Sequence, residues 1–175
     1  VPHVAKVAFI VDEMFEDSEF KVPYERVREA GHEAVIVGLD ANKKLEGKKG
    51  DVTLTTDVSI DEATPDQFDA LVIPGGYSPD KIRMSKGMVE LTRQMATTGK
   101  PVAAICHAGW MLAEADLLRG KTVTSWPSIQ TDLINAGANW VNQEVVEDGN
   151  LITSRKPDDL EAFTKSLLTQ IEQQS

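Results

Sequence analysis

One cysteine, Cys106, stands among 175 residues, so no internal disulfide staples this chain. There are three histidines, and aromatic residues make up 6% of the chain. No His/Cys/carboxylate spacing matches a metal site. Trp110, Trp126 and Trp140 read as core or interface residues rather than as a stacking platform, and His3 and His32 have no partner pattern. No apolar run approaches the roughly 20 residues of a membrane-spanning helix. Basic clusters are missing too: 18 Lys and Arg against 28 Asp and Glu give a net charge of −10, which speaks against nucleic acid or an anionic membrane as partner. The opening Val1-Pro2-His3-Val4 lacks the charged and apolar regions of a signal peptide. With the lone thiol, this points to a reducing, cytoplasmic setting. Gly75-Gly76 has neither a P-loop lysine nor GxGxxG spacing, so a nucleotide is not expected there. Neither a cofactor nor a metal is implied.

With 41% apolar and 26% charged residues, the composition is that of a globular protein. The length fits a single domain over 1–175. Apolar runs of strand length alternate with helical patterns. Strands are expected at Val4–Val11, Glu33–Leu39, Ala70–Ile73, Val102–Ile105 and Lys121–Thr124. Helices are expected at Glu25–Ala30 or from as early as Asp17, at Lys86–Thr98, at Ser128–Ala136 and from Pro157 onward. Asp51–Thr56 reads as part of a small hairpin, and Asp148-Gly149 as a hairpin turn. This alternation predicts an α/β fold with a mostly parallel sheet and helices on both faces. In such folds the site lies beyond the carboxyl ends of the strands. Asp12–Asp17, Gly75–Asp80 and Cys106-His107 all follow strands, so they are expected at one edge.

A lone cysteine is ordinarily a small core hydrophobe. Here the strand Val102–Ile105 runs into Cys106, and Trp110, Met111, Ala113 and Glu114 continue in helical register. A residue at such a strand-to-helix turn is displayed as a nucleophile. The N-terminal field of the following helix would favour its thiolate. Ala104 occupies the position where the familiar elbow motif has glycine, a mild departure. His107 can act as general base, as a charge that lowers the thiol pKa, or through its backbone N–H in an oxyanion hole. An acid to orient it can come from Asp80 or from Glu16. Gly75 and Gly76 leave room for backbone N–H groups to approach a substrate.

Phe15-Glu16-Asp17, Pro74-Gly75-Gly76, Lys100-Pro101-Val102, Ile105-Cys106-His107, Asn135–Val141 and Ser154-Arg155 before Pro157–Leu160 occur in order. In these segments the chain resembles the PfpI-like intracellular protease family, in the superfamily of the Parkinsonism-associated deglycase and class I glutamine amidotransferase-like folds. The resemblance implies a flavodoxin-like three-layer sandwich with Cys106 as nucleophile and Glu16 beside the thiol. It also implies oxyanion donors at Gly75, Gly76 and His107. An acid at Asp80, where relatives carry glutamate, would complete a Cys-His-acid triad in a neighbouring subunit, which implies a homo-oligomer. The implied substrate is a protein, a peptide, or a small aldehyde such as methylglyoxal and its protein adducts. The competing reading is a redox-sensing stress protein or holdase chaperone in which Cys106 is oxidised rather than turned over.

Overall fold

The computed structural model describes residues 4–174, so His3 lies outside the described residues. In chain order the strands are β1 (Lys6–Ile10), β2 (Glu33–Gly38), β3 (Lys44–Glu46), β4 (Thr53–Thr55), β5 (Val58–Ser59), β6 (Ala70–Ile73), β7 (Val102–Ile105), β8 (Thr122–Val123), β9 (Asn139–Trp140), β10 (Val146–Asp148) and β11 (Leu151–Ser154). The α-helices are α1 (Asp17–Glu29), α2 (Ser78–Ile82), α3 (Lys86–Thr97), α4 (Gly109–Glu114), α5 (Gln130–Asn135) and α6 (Leu160–Gln173).

Seven strands form one sheet in the order β10-β11-β7-β6-β1-β2-β5. Every pairing in it is parallel except β10 with β11, which the Asp148-Gly149 turn joins as an antiparallel edge. Two short two-stranded pieces, β3-β4 and β8-β9, stand apart. Because side chains alternate along a strand, the central strands supply both faces. Ala8 and Ile10 of β1, Leu71 and Ile73 of β6, and Val102 and Ala104 of β7 pack with α3, α4 and α5. Val7 and Phe9, Ala70 and Val72, and Ala103 and Ile105 pack with α1 and α6. The result is the α/β arrangement of a mostly parallel sheet between two helical layers. Full burial of side chains such as Phe9, Ile73 and Phe163 contributes roughly 1.5–3 kcal/mol each.

The first helix is one unbroken element from Asp17 with Pro23 inside it, the longer of the two readings the sequence allows. The chain leaves β1 toward β2 on one side and returns to β6 on the other. This reversal opens a crevice at the carboxyl ends of β1 and β6, where the segments after β1, β6 and β7 converge. A single β-bridge between Phe15 and Gly76 ties the first two. Tyr77 N–H donates to the Met14 carbonyl at 2.8 Å and Glu16 N–H to the Gly75 carbonyl at 3.0 Å. Among the described residues, no helix is long and apolar enough to cross a membrane.

Candidate active site

At the end of β7 the backbone turns abruptly. Ile105 is extended, and Cys106 takes φ +63°, a left-handed conformation that costs a non-glycine residue about 1–2 kcal/mol. A short 3₁₀ turn from Cys106 to Ala108 then leads into α4. The elbow has room only because Gly75 faces it. A Cβ on Gly75 would stand 2.8 Å from Cys106 Cβ, 2.9 Å from the Ile105 carbonyl oxygen and 2.4 Å from a Glu19 carboxyl oxygen. Strained backbone of this kind persists where the surroundings over-determine it, and such places cluster at functional sites.

The thiol is 8% exposed. Its Sγ lies 3.3 Å from His107 Nδ1, and His107 Nε2 lies 3.4 Å from Ser128 Oγ. Trp110 and Trp126 flank the imidazole, with ring centroids at 5.1 and 6.4 Å. Arg83 over the Trp110 ring, and a hydrogen bond from that indole to Asp132, fix one flank. Burial, and then the nearby Glu19 carboxyl, push the Cys106 thiol up to about 12 against the pull of the His107 and Gly76 N–H groups and of Lys48. Burial, and then Lys48, lower the imidazole from its ordinary value. The resting pair is therefore a neutral thiol beside a neutral ring. The sequence points toward a thiolate favoured by a helix terminus. In the fold that field comes from a 3₁₀ turn and a six-residue helix, and desolvation outweighs it.

Three acids at the start of α1 divide the work. The carboxyl acting on the thiol is that of Glu19, not Glu16. Glu19 is fully buried and accepts the Gly75 N–H at 2.9 Å. Burial and the charge of Glu16 raise its carboxyl from 4.5 to about 8. Its second oxygen, Oε2, has no hydrogen-bond partner among the described residues. Glu16, also buried, pairs with Lys48 at 3.0 Å and Lys49 at 2.9 Å. Asp17 accepts the N–H groups of Lys49, Asp51 and Val52, each at 2.9 Å. Burial opposes its ionisation, but these donors hold the carboxyl below its ordinary value. Gly47 lets the loop wrap this closely, since a Cβ there would stand 2.2 Å from an Asp17 oxygen. The β3–β4 loop is further docked by Met14 N–H to the Glu46 carbonyl and Lys48 N–H to the Phe15 carbonyl. Lys48 Nζ also sits 5.8 Å over the Tyr77 ring.

One other sequence expectation changes. The Gly75 N–H is occupied by Glu19, so it is not a free oxyanion donor, whereas the Gly76 and His107 N–H groups favour the anionic form of the sulfur. Asp80 is exposed on α2, and within this chain the two ring nitrogens of His107 face Cys106 and Ser128. Glu19, Lys48, Lys49 and Ser128 escape sequence reasoning. The spacing of Glu16 and Glu19 by three residues at a helix start is the one signal that would have paired them.

Glu16, Glu19, Lys48, Lys49, Cys106, His107, Trp126 and Pro157 line a cavity of about 270 Å³. A larger groove of about 670 Å³ runs beside α1 and α6, past Arg26, Glu161 and Leu168, away from Cys106 and His107.

A model of the DJ-1/PfpI family matches residues 5–170. Protein/nucleic acid deglycase 2 of Escherichia coli K12 is 48% identical over 164 residues, 93% of this chain and 95% of that protein. Deglycase PfpI of Pyrococcus furiosus is 43% identical over 163 residues, 93% of this chain and 97% of that protein. Among solved structures, a two-domain protein of Anabaena variabilis with DJ-1/ThiJ/PfpI-like and ferritin-like domains superposes with a TM-score of 0.94 at 42% identity. The match covers 95% of this chain and 48% of that one, so the chain spans about half of that protein.

Proposed function

For a chain that belongs to the DJ-1/PfpI family, we propose a deglycase-type hydrolase in which Cys106 attacks α-oxoaldehydes such as methylglyoxal, or the early adducts they form on proteins. The observation that carries this choice is the size of the cavity over Cys106, about 270 Å³. That lies below the usual 300–1,000 Å³ of ligand pockets and suits a few-carbon carbonyl compound better than an extended peptide.

With methylglyoxal the sequence of steps balances without an external oxidant. The Cys106 sulfur bonds to the aldehyde carbon while the thiol proton passes to His107 Nδ1 and from there to the former aldehyde oxygen, giving a hemithioacetal and returning the ring to its neutral form. A neutral imidazole is the form that accepts a proton; because the thiol is raised and the ring lowered, the transfer is uphill by itself and is coupled to formation of the carbon–sulfur bond. The N–H groups of Gly76 and His107, which act on the sulfur in the resting site, are the backbone donors nearest the oxygen on which charge develops in this reading, and Glu19, protonated below about pH 8, can donate from its unpartnered oxygen. His107 then moves the carbon-bound proton from C1 to C2, so the aldehyde carbon is oxidised to a thioester as the ketone is reduced to an alcohol. Water cleaves the thioester, releasing a 2-hydroxycarboxylate and restoring the thiol.

Peptide cleavage would use the same sulfur, but the cavity favours it less. Redox sensing is favoured less as well, since a sensor needs an accessible, low-pKa thiol and this one is buried and shifted upward. Asp80, exposed on α2, is free to orient His107 of a second copy, and we hold the homo-oligomeric triad as part of the same reading. Parallel assays with methylglyoxal and with an unfolded protein, each with Cys106→Ala as control, test the choice. Cysteine-dependent loss of methylglyoxal with intact unfolded protein is expected, whereas cysteine-dependent cleavage of the protein alone would overturn it.

A further inference from the structure

The mechanism above uses Cys106, His107 and Glu19 but leaves Lys48 and Lys49 without a task. Both line the same cavity as the thiol. Their backbone is fixed through the carboxylate of Asp17, which accepts the N–H groups of Lys49, Asp51 and Val52. Their ammonium groups share one buried carboxylate, Glu16. The second carboxyl lining the cavity, Glu19, has its own partner in the Gly75 N–H and is neutral below about pH 8. Two lysines therefore share the Glu16 carboxylate in a small, partly buried space, while the Asp17 carboxylate, whose charge also bears on Lys49, is taken up by three backbone N–H groups; an ammonium carries three N–H donors, so donors remain for a second anion beside Cys106. Lys48 is the nearer to that role. It is two-thirds buried, and its charge is felt by both Cys106 and His107.

We propose that Lys48 and Lys49, held by Glu16 and Asp17, form a subsite for one small carboxylate, and that its ligand is the 2-hydroxycarboxylate generated at Cys106. This rests on the hydrolase reading for its source of ligand. Cleavage of a thioester on Cys106 creates a carboxylate where the acyl carbon stood, beside the sulfur and within the field of Lys48. A charge-assisted pair in such surroundings is roughly twice as strong as a neutral hydrogen bond. The site thus prefers its product's anion to a neutral molecule of the same shape, and that anion inhibits by occupying the space over the thiol. Substrates carrying a carboxylate next to the reactive carbonyl use the same contact.

The lone cysteine gives a readout independent of turnover. The rate of Cys106 alkylation by iodoacetamide, followed by mass spectrometry, is measured with rising lactate or its neutral isostere lactamide at fixed ionic strength. The chains compared are the wild type, Lys48→Met/Lys49→Met and Lys48→Arg/Lys49→Arg. Lactate is expected to protect wild-type Cys106, with a half-protecting concentration about tenfold below that of lactamide, as 1.4 kcal/mol of charge-assisted contact gives. The preference should vanish in the methionine variant and survive in the arginine variant, and circular dichroism should show all three folded. Equal protection by lactate and lactamide in the wild type would overturn the subsite, as would an unchanged preference in the folded methionine variant. Methylglyoxal turnover measured on the same samples separates the two ideas. Lactate-selective protection without turnover removes the hydrolase reading and keeps the carboxylate subsite, whereas turnover without selective protection does the reverse.

Discussion

The elbow at Cys106 and the loop between β3 and β4 meet over one cavity, yet they are built by opposite means. The elbow grows from the centre of the sheet. β7 lies between β6 and β11, and Cys106 is locked in a left-handed turn with Gly75 against it. The loop is peripheral and its lysines are partly exposed. Its shape depends on the single carboxylate of Asp17 and on two backbone contacts to the segment after β1. On the proposed reading, the sheet thus supplies a reacting atom at a fixed point, and the loop supplies charge. A nucleophile needs sub-ångström placement, which packed strands give. A charge acts over several ångströms and tolerates a looser mount.

Substitutions should separate the two regions, and the largest effect belongs to the elbow. Cys106→Ala is expected to lower methylglyoxal turnover by at least about 10³-fold, as loss of a nucleophile does, with thermal unfolding little changed. Residual turnover above a tenth of wild type would remove the elbow from the chemistry. Gly75→Ala should follow, with a loss of about 10²-fold, because its methyl would displace both Cys106 and Glu19 and small misplacements are costly. Kinetics on the folded variant check this.

On the loop side, Asp17→Asn keeps the shape but loses the charge that three N–H groups share. Urea unfolding should show a destabilisation of about 2–3 kcal/mol, the scale of hydrogen bonds to a charged acceptor. The wild-type contribution is present above the ordinary carboxyl value of 3.8 and is lost as pH falls through the lowered folded value. The asparagine variant should therefore lose less stability than the wild type as pH falls from 3.8 to the lowered folded value.

Glu19 joins the two regions, and its sign is opposite. Its folded value is raised from 4.5 to about 8, so the native state binds more protons than the unfolded one between these limits. Stability falls as pH rises across that window and levels above it. Turnover should also fall above about pH 8, where an anion appears beside the sulfur. Glu19→Gln should flatten the stability slope and move the alkaline limb upward. An unmoved limb would exclude Glu19 as its source. The smallest effect, about threefold in kcat/KM, is expected for Ser128→Ala, whose hydroxyl stands 3.4 Å from His107 Nε2.

The same contrast explains what the sequence makes legible. Val102–Ile105 running into Cys106 and then a helical pattern announces the elbow, because a strand's apolar run and the break in period are local features. The strand-helix alternation likewise announces the sheet, and Asp148-Gly149 its antiparallel edge. Lys48 and Lys49 look like any solvated pair, since nothing within Gly47–Val52 reveals that Asp17, some thirty residues earlier, gathers its N–H groups. Glu16 and Glu19 differ by less than one helical turn, and only the fold shows which faces the lysines and which faces Gly75. The upward shift of Cys106 is likewise illegible, because burial is a property of the packed molecule. The role proposed for Asp80 comes from the family resemblance alone, since it needs a second copy that one chain's pattern does not display.

Acid-quenched mass spectrometry of the protein during methylglyoxal turnover tests the central claim most directly. Cys106 as nucleophile predicts an adduct of one methylglyoxal mass on the Cys106 peptide, rising to a steady level as 2-hydroxycarboxylate accumulates and decaying when substrate is exhausted. Sustained turnover with Cys106 unmodified, or with the adduct confined to lysines, would contradict it.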